Sequence, residues 1–196
     1  PYSLAFDSRT LTNGSHTLVA RARDAAGNTG SSSTVSFSVS NTTATELVLN
    51  PGFESGSTNW TATSGVITND SGFAARTGTW KAWMLGYGSA RTDTLYQTIT
   101  IPSTATTATL RFWLAVSTEE TGTTAFDTMS VQVRSTANSV LRTLATYSNV
   151  NAGGYAQRSF DLSAYRGQTI RIYWTATEGS RLATSFVIDD VSVLAQ

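Results

Sequence analysis

Residues 109–117 read TLRFWLAVS, and residues 168–176 read QTIRIYWTA. Side chains on a strand point alternately to opposite faces of the sheet, so the two stretches can be sorted by parity. In the first, Leu110, Phe112, Leu114 and Val116 share one face, and Arg111, Trp113 and Ala115 share the other. In the second, Ile170, Ile172 and Trp174 oppose Arg171 and Tyr173. The same alternation sets Leu95, Ile99 and Ile101 against Tyr96 and Thr98. It also sets Met129, Val131 and Val133 against Gln132 and Arg134. Each stretch therefore reads as a strand with one aliphatic face for a core.

Working outward, strands are expected at 47–49, 65–69, 80–86, 93–101, 107–117, 126–135, 140–147, 155–162, 168–177 and 185–194. Turn clusters such as GYGSARTD, STANS, SNVNAGG and SAYRGQ separate them. No segment holds a helical period, and DLSAYRG at 161–167 allows one short helical turn. Long strands at this spacing predict an all-β fold, a two-sheet sandwich or jelly roll.

Composition narrows the function classes. Charged residues make up 13% of the 196, about half the usual ~25%. Ser, Thr, Gly and Asn take their place, and Lys81 is the one lysine. This hydroxylated surface suits an extracellular β protein. The formal net charge is zero with no basic run, which argues against binding nucleic acid by phosphate neutralisation. No apolar run approaches the ~20 residues that span a bilayer. Cysteine is absent, so disulfides and thiolate metal sites are excluded. The opening PYSLAFDSRT reads as the interior of a longer exported protein.

Residues 1–40 alternate short strands and turns: an Asn13-Gly14 turn, the run LVARARD, the turn AAGNTG, and STVSFSVS with Val35, Phe37 and Val39 on one face. Three strands with one apolar face cannot enclose a core alone. The whole stretch resembles the C-terminal half of a bacterial Ig-like domain, a module strung along secreted and surface proteins. That resemblance implies a partial β-sandwich whose earlier strands are missing. Another chain could complete the open edge by strand addition. Residues 41–46, NTTATE, read as a linker, and residues 47–196 as a second domain.

Two acidic spots mark the ends of this second domain: Glu54 in NPGFESGSTNW and Asp189-Asp190 in FVIDDVSV. A carboxylate beside a core must be paired or coordinated. Local cations are scarce, so a hard cation is one solution, since Ca²⁺ takes six to eight oxygens. The other is that a carboxylate caps backbone amides. Alternation does not choose between the two aspartates, because a bulge could turn either inward. The motifs NPGFESG…W, DLSAYRGQTIRIYW and FVIDDVSV resemble carbohydrate-binding modules and galactose-binding-like jelly rolls appended to secreted bacterial hydrolases. The resemblance implies a structural calcium on Glu54 and on Asp189 or Asp190. Carbonyls near Gly56 and the turn RTGTW at 76–80 would complete its shell.

The faces opposite the core carry Tyr96, Trp113, Tyr173, Arg111, Arg171, Gln132 and Arg134, with Trp83 in WKAWMLGYG as a further candidate. Rings stack on the C–H face of a pyranose while Arg and Gln bind hydroxyls, so this set is the expected polysaccharide-binding surface. The competing expectation is that the rings lie under loops, stacked on arginines. Catalysis is not expected. Glu119-Glu120 are adjacent on a Thr/Gly loop and point apart, unlike a glycosidase pair. His16 is the one histidine, which leaves no imidazole for a triad or a zinc site in the second domain. The sequence thus predicts a secreted, non-catalytic module that binds polysaccharide. The alternative is an adhesion module that assembles through its incomplete sheet.

Overall fold

The computed structural model describes residues 3–41 and 43–196. Pro1, Tyr2 and Thr42, assigned above to the Ig-like segment and the linker, lie outside the described residues. The chain divides into two compact units, residues 1–43 and 44–196. Asn41 is bonded into the first unit through Ser8, Leu11 and Asn13. Residues 45–46 form a strand of the second. The expected linker is therefore divided between the two units.

The first unit holds two separate antiparallel ribbons. Strand β1 (Gly14–Leu18) pairs with β4 (Val35–Val39), and β2 (Arg21–Arg23) pairs with β3 (Thr29–Ser31) across the AAGNTG turn. Val39 is its one buried hydrophobic residue among those described, and Leu4, Phe6, Leu18 and Val35 are exposed.

The second unit is a β-sandwich of the jelly-roll type. Its strands are β5 (Thr45–Glu46), β6 (Thr61–Ala62), β7 (Ile67–Thr68), β8 (Lys81–Leu85), β9 (Arg91–Thr100), β10 (Ala108–Thr118), β11 (Thr128–Ser135), β12 (Val140–Ser148), β13 (Gly153–Asp161), β14 (Thr169–Glu178) and β15 (Thr184–Ala195). One sheet has the order β13-β10-β15-β8-β7, with β5 also on β15. The other has the order β12-β11-β14-β9-β6. Ser163–Tyr165 forms the short 3₁₀ turn that DLSAYRG allows.

The aliphatic parity set fills the space between the sheets. Leu110, Phe112, Leu114, Met129, Val131, Val133, Ile170, Ile172 and Trp174 are all buried there. Phe112 meets the Trp174 ring edge-on at 5.3 Å, and Trp60 meets it from another side at 6.2 Å. Phe53 is fully buried against Trp60 at 5.0 Å, with Trp60 Nε1 donating to the Asn50 carbonyl. Burying side chains of this size supplies about 1.5–3 kcal/mol each, the main stabilisation available to a cysteine-free fold.

One irregularity places the site residues. Arg111 pairs with Ser192, but Trp113 pairs with Asp189, so β15 carries an extra residue. Asp190 occupies this bulge with φ 48°. The core positions on β15 therefore run Phe186, Ile188, Val191, Val193, skipping a phase at the bulge. Asp189 falls on the outer side with Val187.

Candidate functional site

The sequence-derived candidates separate into two groups on opposite outer faces of the sandwich. Tyr96, Gln132, Arg134, Arg171 and Tyr173 come together on the five-stranded sheet. Arg111, Trp113 and Trp83 belong to the six-stranded sheet, on β10 and β8. The single binding surface expected above is thus two surfaces, because β10 and β14 lie in different sheets.

On the five-stranded sheet, cross-strand register sets Tyr96 opposite Tyr173 and Tyr173 opposite Gln132. The two rings stack at 5.2 Å with 9° between planes. One row along, Arg134 lies opposite Arg171. The Arg134 guanidinium sits 3.7 Å over the Tyr173 ring, and that of Arg171 sits 4.7 Å over Tyr96. Arg134 Nε donates to Gln132 Oε1 at 2.8 Å. Both guanidiniums reach Asn138 Oδ1 at 3.4 Å. Stacked tyrosines contribute about 0.5–1.5 kcal/mol beyond area burial, and each guanidinium on a ring adds about 0.5–2 kcal/mol. The cluster is therefore fixed before any ligand arrives.

This geometry corrects one expectation. Tyr173 is only 6% exposed, with its ring against Tyr96 and Arg134, so it is no open platform for a pyranose. The accessible groups on this face are the two guanidiniums, Gln132 and Tyr96, each half-buried. Around them the outward positions are hydroxyls: Thr94, Thr175 and Ser130 on one side, Thr100 and Thr169 on the other. Asn138 was missed in the sequence. It sits in the STANS hairpin turn at φ 70°, and only its place in the turn hinted at a special role.

The outer face of the six-stranded sheet is covered by residues 69–80. Arg76 lies 3.9 Å over the Trp113 ring. Phe73 contacts Trp83 and Tyr155 at 6.1 Å each, and the Tyr155 hydroxyl donates to the Ala74 carbonyl. Trp83 Nε1 donates to Ser185 Oγ at 2.8 Å. Trp83 also borders a shallow pocket of about 260 Å³ with Thr68, Asp70 and Tyr87. Lys81 is buried, and that burial lowers its pKa; its ammonium donates to the Asp70 carbonyl. Arg111 is exposed.

The three acids hold this cover down. Asp189 is fully buried and accepts from the amides of Arg76 (2.8 Å), Thr77 (3.1 Å) and Asp190 (2.8 Å). Burial raises its pKa above the ordinary carboxylate value, against the pull of these amides. The same burial, with the charges of Asp189 and Asp190, pushes the Tyr155 phenol up. Asp190 pairs with the Arg76 guanidinium and accepts from Thr77 Oγ1 at 2.6 Å. Glu54 accepts from the amides of Thr79 (3.0 Å) and Trp80 (2.9 Å). The RTGTW turn thus offers N–H groups to these carboxylates, and the Gly56 carbonyl accepts from Asn50.

Does the clasp suit a hard cation? Its donors are carboxylate oxygens, the chemistry that Ca²⁺ takes. Glycine is required at Gly78, where a Cβ would strike Glu54 Oε1, while at Gly52 the aspartate oxygens lie at ordinary contact distance. Among the described residues, however, no three acidic or histidine side chains gather as a ready ligand cluster, and these oxygens face amides.

No family model and no curated protein matches the chain. Solved structures do. The carbohydrate-binding module TmCBM61, solved with β-1,4-galactotriose, is similar with TM-score 0.58 at 14% identity; the match covers 78% of this chain and 99% of that one. The K3 cleaved adhesin domain of Lys-gingipain from Porphyromonas gingivalis has TM-score 0.50 at 16% identity, over 76% and 98%. The enzymatically active domain of bacteriophage CBA120 tailspike protein 4 has TM-score 0.50 at 14% identity, over 77% of this chain and 21% of that one. At these identities the likeness shows the fold, a β-sandwich shared with carbohydrate-binding modules.

Proposed function

We propose that the second unit is a non-catalytic module that binds polysaccharide on the outer face of its five-stranded sheet. The observation that carries this reading is the prearranged Tyr96–Tyr173 stack with Arg134, Arg171 and Gln132, bordered by hydroxyl residues. Side chains already held in place lose little entropy on binding, which favours a shallow site for weak, multivalent sugar contacts. The fold shared with a galactotriose-binding module supports it. No helix of the described residues is long and apolar enough to cross a membrane. The hydroxylated surface supports a place outside the cell. Structural Ca²⁺ on Glu54 and on Asp189 or Asp190 would have to displace the amides that these oxygens accept from. It would supply a cross-link between the cover and the last strand, and no reaction chemistry.

Native gels containing one soluble glycan each, across neutral and acidic polymers, test the reading. Retardation of the wild type by at least one glycan, lost in Tyr96→Ala, is expected. Free migration in every gel sinks it.

One observation favours a second reading, adhesion through another chain. Leu4, Phe6, Leu11, Leu18, Val35 and Phe37 line an apolar groove of about 550 Å³ on the β1–β4 ribbon. A strand added from a second chain would cover it. Light scattering after size exclusion decides: a strict monomer whose second unit melts normally without residues 1–40 counts against strand addition.

A further inference from the structure

The proposed sugar face has an electrostatic bias that ordinary hydroxyl recognition does not require. Arg134 and Arg171 stand directly opposite on adjacent strands, and their guanidinium groups converge on one oxygen, Asn138 Oδ1. Like charges facing each other across a strand pair are destabilising. Among the described residues, the side chains that accept from them are neutral amides, Gln132 for Arg134 and Asn138 for both. Arg171 Nε is buried and has no acceptor. Among the described residues, ion pairs involve Arg9, Arg76 and Arg91, and neither Arg134 nor Arg171 takes part in one. The outward positions of β9, β14 and β11 around the pair are Thr, Tyr, Ser and Gln, with no acid among them. A chain of zero formal net charge therefore places two adjacent uncompensated cations at the centre of one face.

The rings beneath keep both guanidiniums in place. A guanidinium so fixed presents its N–H fork to an oxyanion with little further ordering cost. We propose that this pair selects an anionic glycan, one whose sugar units carry carboxylate or sulfate ester groups, with Arg134 and Arg171 receiving the anion and the hydroxyl rows contacting the ring. The inference rests on the reading of this face as a glycan site.

The test uses the whole 196-residue chain. Binding is measured by calorimetry and by affinity gels with polygalacturonate, its carboxyl-reduced product, a sulfated galactan and its desulfated product. Tighter binding of the charged member of a pair, by about tenfold or more, is expected, with loss as salt rises from low to high. The uronate pair and the sulfate pair separately identify which anion is taken. The double variant Arg134→Gln/Arg171→Gln should abolish the preference. Arg21→Gln, in the first unit, removes one charge and should leave it intact. Should the double glutamine variant melt early, Arg134→Lys/Arg171→Lys retains charge without the fork and should bind with intermediate strength. Equal affinity for charged and neutral partners, or a preference that survives the glutamine variant, overturns the inference and leaves the glycan site standing. No binding to any polymer, charged or neutral, overturns both.

Discussion

The two outer faces of the sandwich begin from the same pattern and end differently. Each places aromatic rings and arginines opposite an aliphatic core. On the five-stranded sheet the arginines arise from the sheet itself, and they lie on rings of neighbouring strands. On the six-stranded sheet the arginine over Trp113 arrives from a distant loop, and acids of the last strand fasten that loop down. The first arrangement leaves a polar, half-buried surface able to meet a ligand. The second uses the same chemistry to pack a cover. Ring and guanidinium on a strand thus do not distinguish an accessible surface from a covered one. The origin of the covering residue does.

The largest effect should come from the fastening. Asp189→Ala leaves the amides of Arg76 and Thr77 without their acceptor. It is expected to cost about 2 kcal/mol in urea unfolding and to redden tryptophan emission as Trp113 is uncovered. An unchanged midpoint and spectrum would mean that the cover is held otherwise.

Next is the contrast in binding. Arg134→Ala should weaken glycan retardation severalfold with a stability loss near 1 kcal/mol, the scale of one guanidinium–ring contact. Trp113→Ala should also lower stability but leave retardation alone. If Trp113→Ala abolishes binding, the roles of the two faces are reversed.

Calcium and pH examine the clasp together. Burial holds the Asp189 pKa above its unfolded value, so the folded state binds the extra proton. Its contribution to stability is present in acid below the unfolded pKa, and is lost as pH rises through the raised folded pKa. In EDTA the melting temperature should carry this downward component above about pH 4, and Asp189→Asn should remove it. Calcium, if it binds the folded state, should raise melting at neutral pH and reverse that component by favouring the carboxylate. Identical melts with calcium and EDTA would leave amides as the whole clasp. The smallest effect is Arg111→Ala. This residue is exposed, and stability should stay within about 0.5 kcal/mol with binding unaltered.

The strands and the aliphatic core were readable because parity is a local property: Leu110, Phe112, Ile172 and Val131 declare their face from their neighbours alone. The distribution of strands between sheets was not, since Trp113 and Tyr173 carry identical local signals. Their separation follows from β10 pairing with β15 and β14 pairing with β9. The acids were found as a group by their apolar setting. Their partner turn, RTGTW, came only from the resemblance, and it was expected to offer carbonyls; it meets the acids with amides instead, across more than a hundred residues for Asp189 and about 25 for Glu54. Nothing local marks Asn138 as the residue that gathers two arginines.

The extra residue in β15 makes that strand unequally tolerant of length changes. Removing Asp190 would restore simple alternation between Trp113 and Arg111 on the neighbouring strand. Val191 and Val193 would keep facing the core, because the bulge already skips one phase, and the loss would fall on the ion pair with Arg76 and the contact with Thr77. Losing Ser192 instead would turn Val193 outward and Leu194 inward, since no bulge follows to absorb the change. In urea unfolding, deletion of Asp190 should therefore cost less stability than deletion of Ser192.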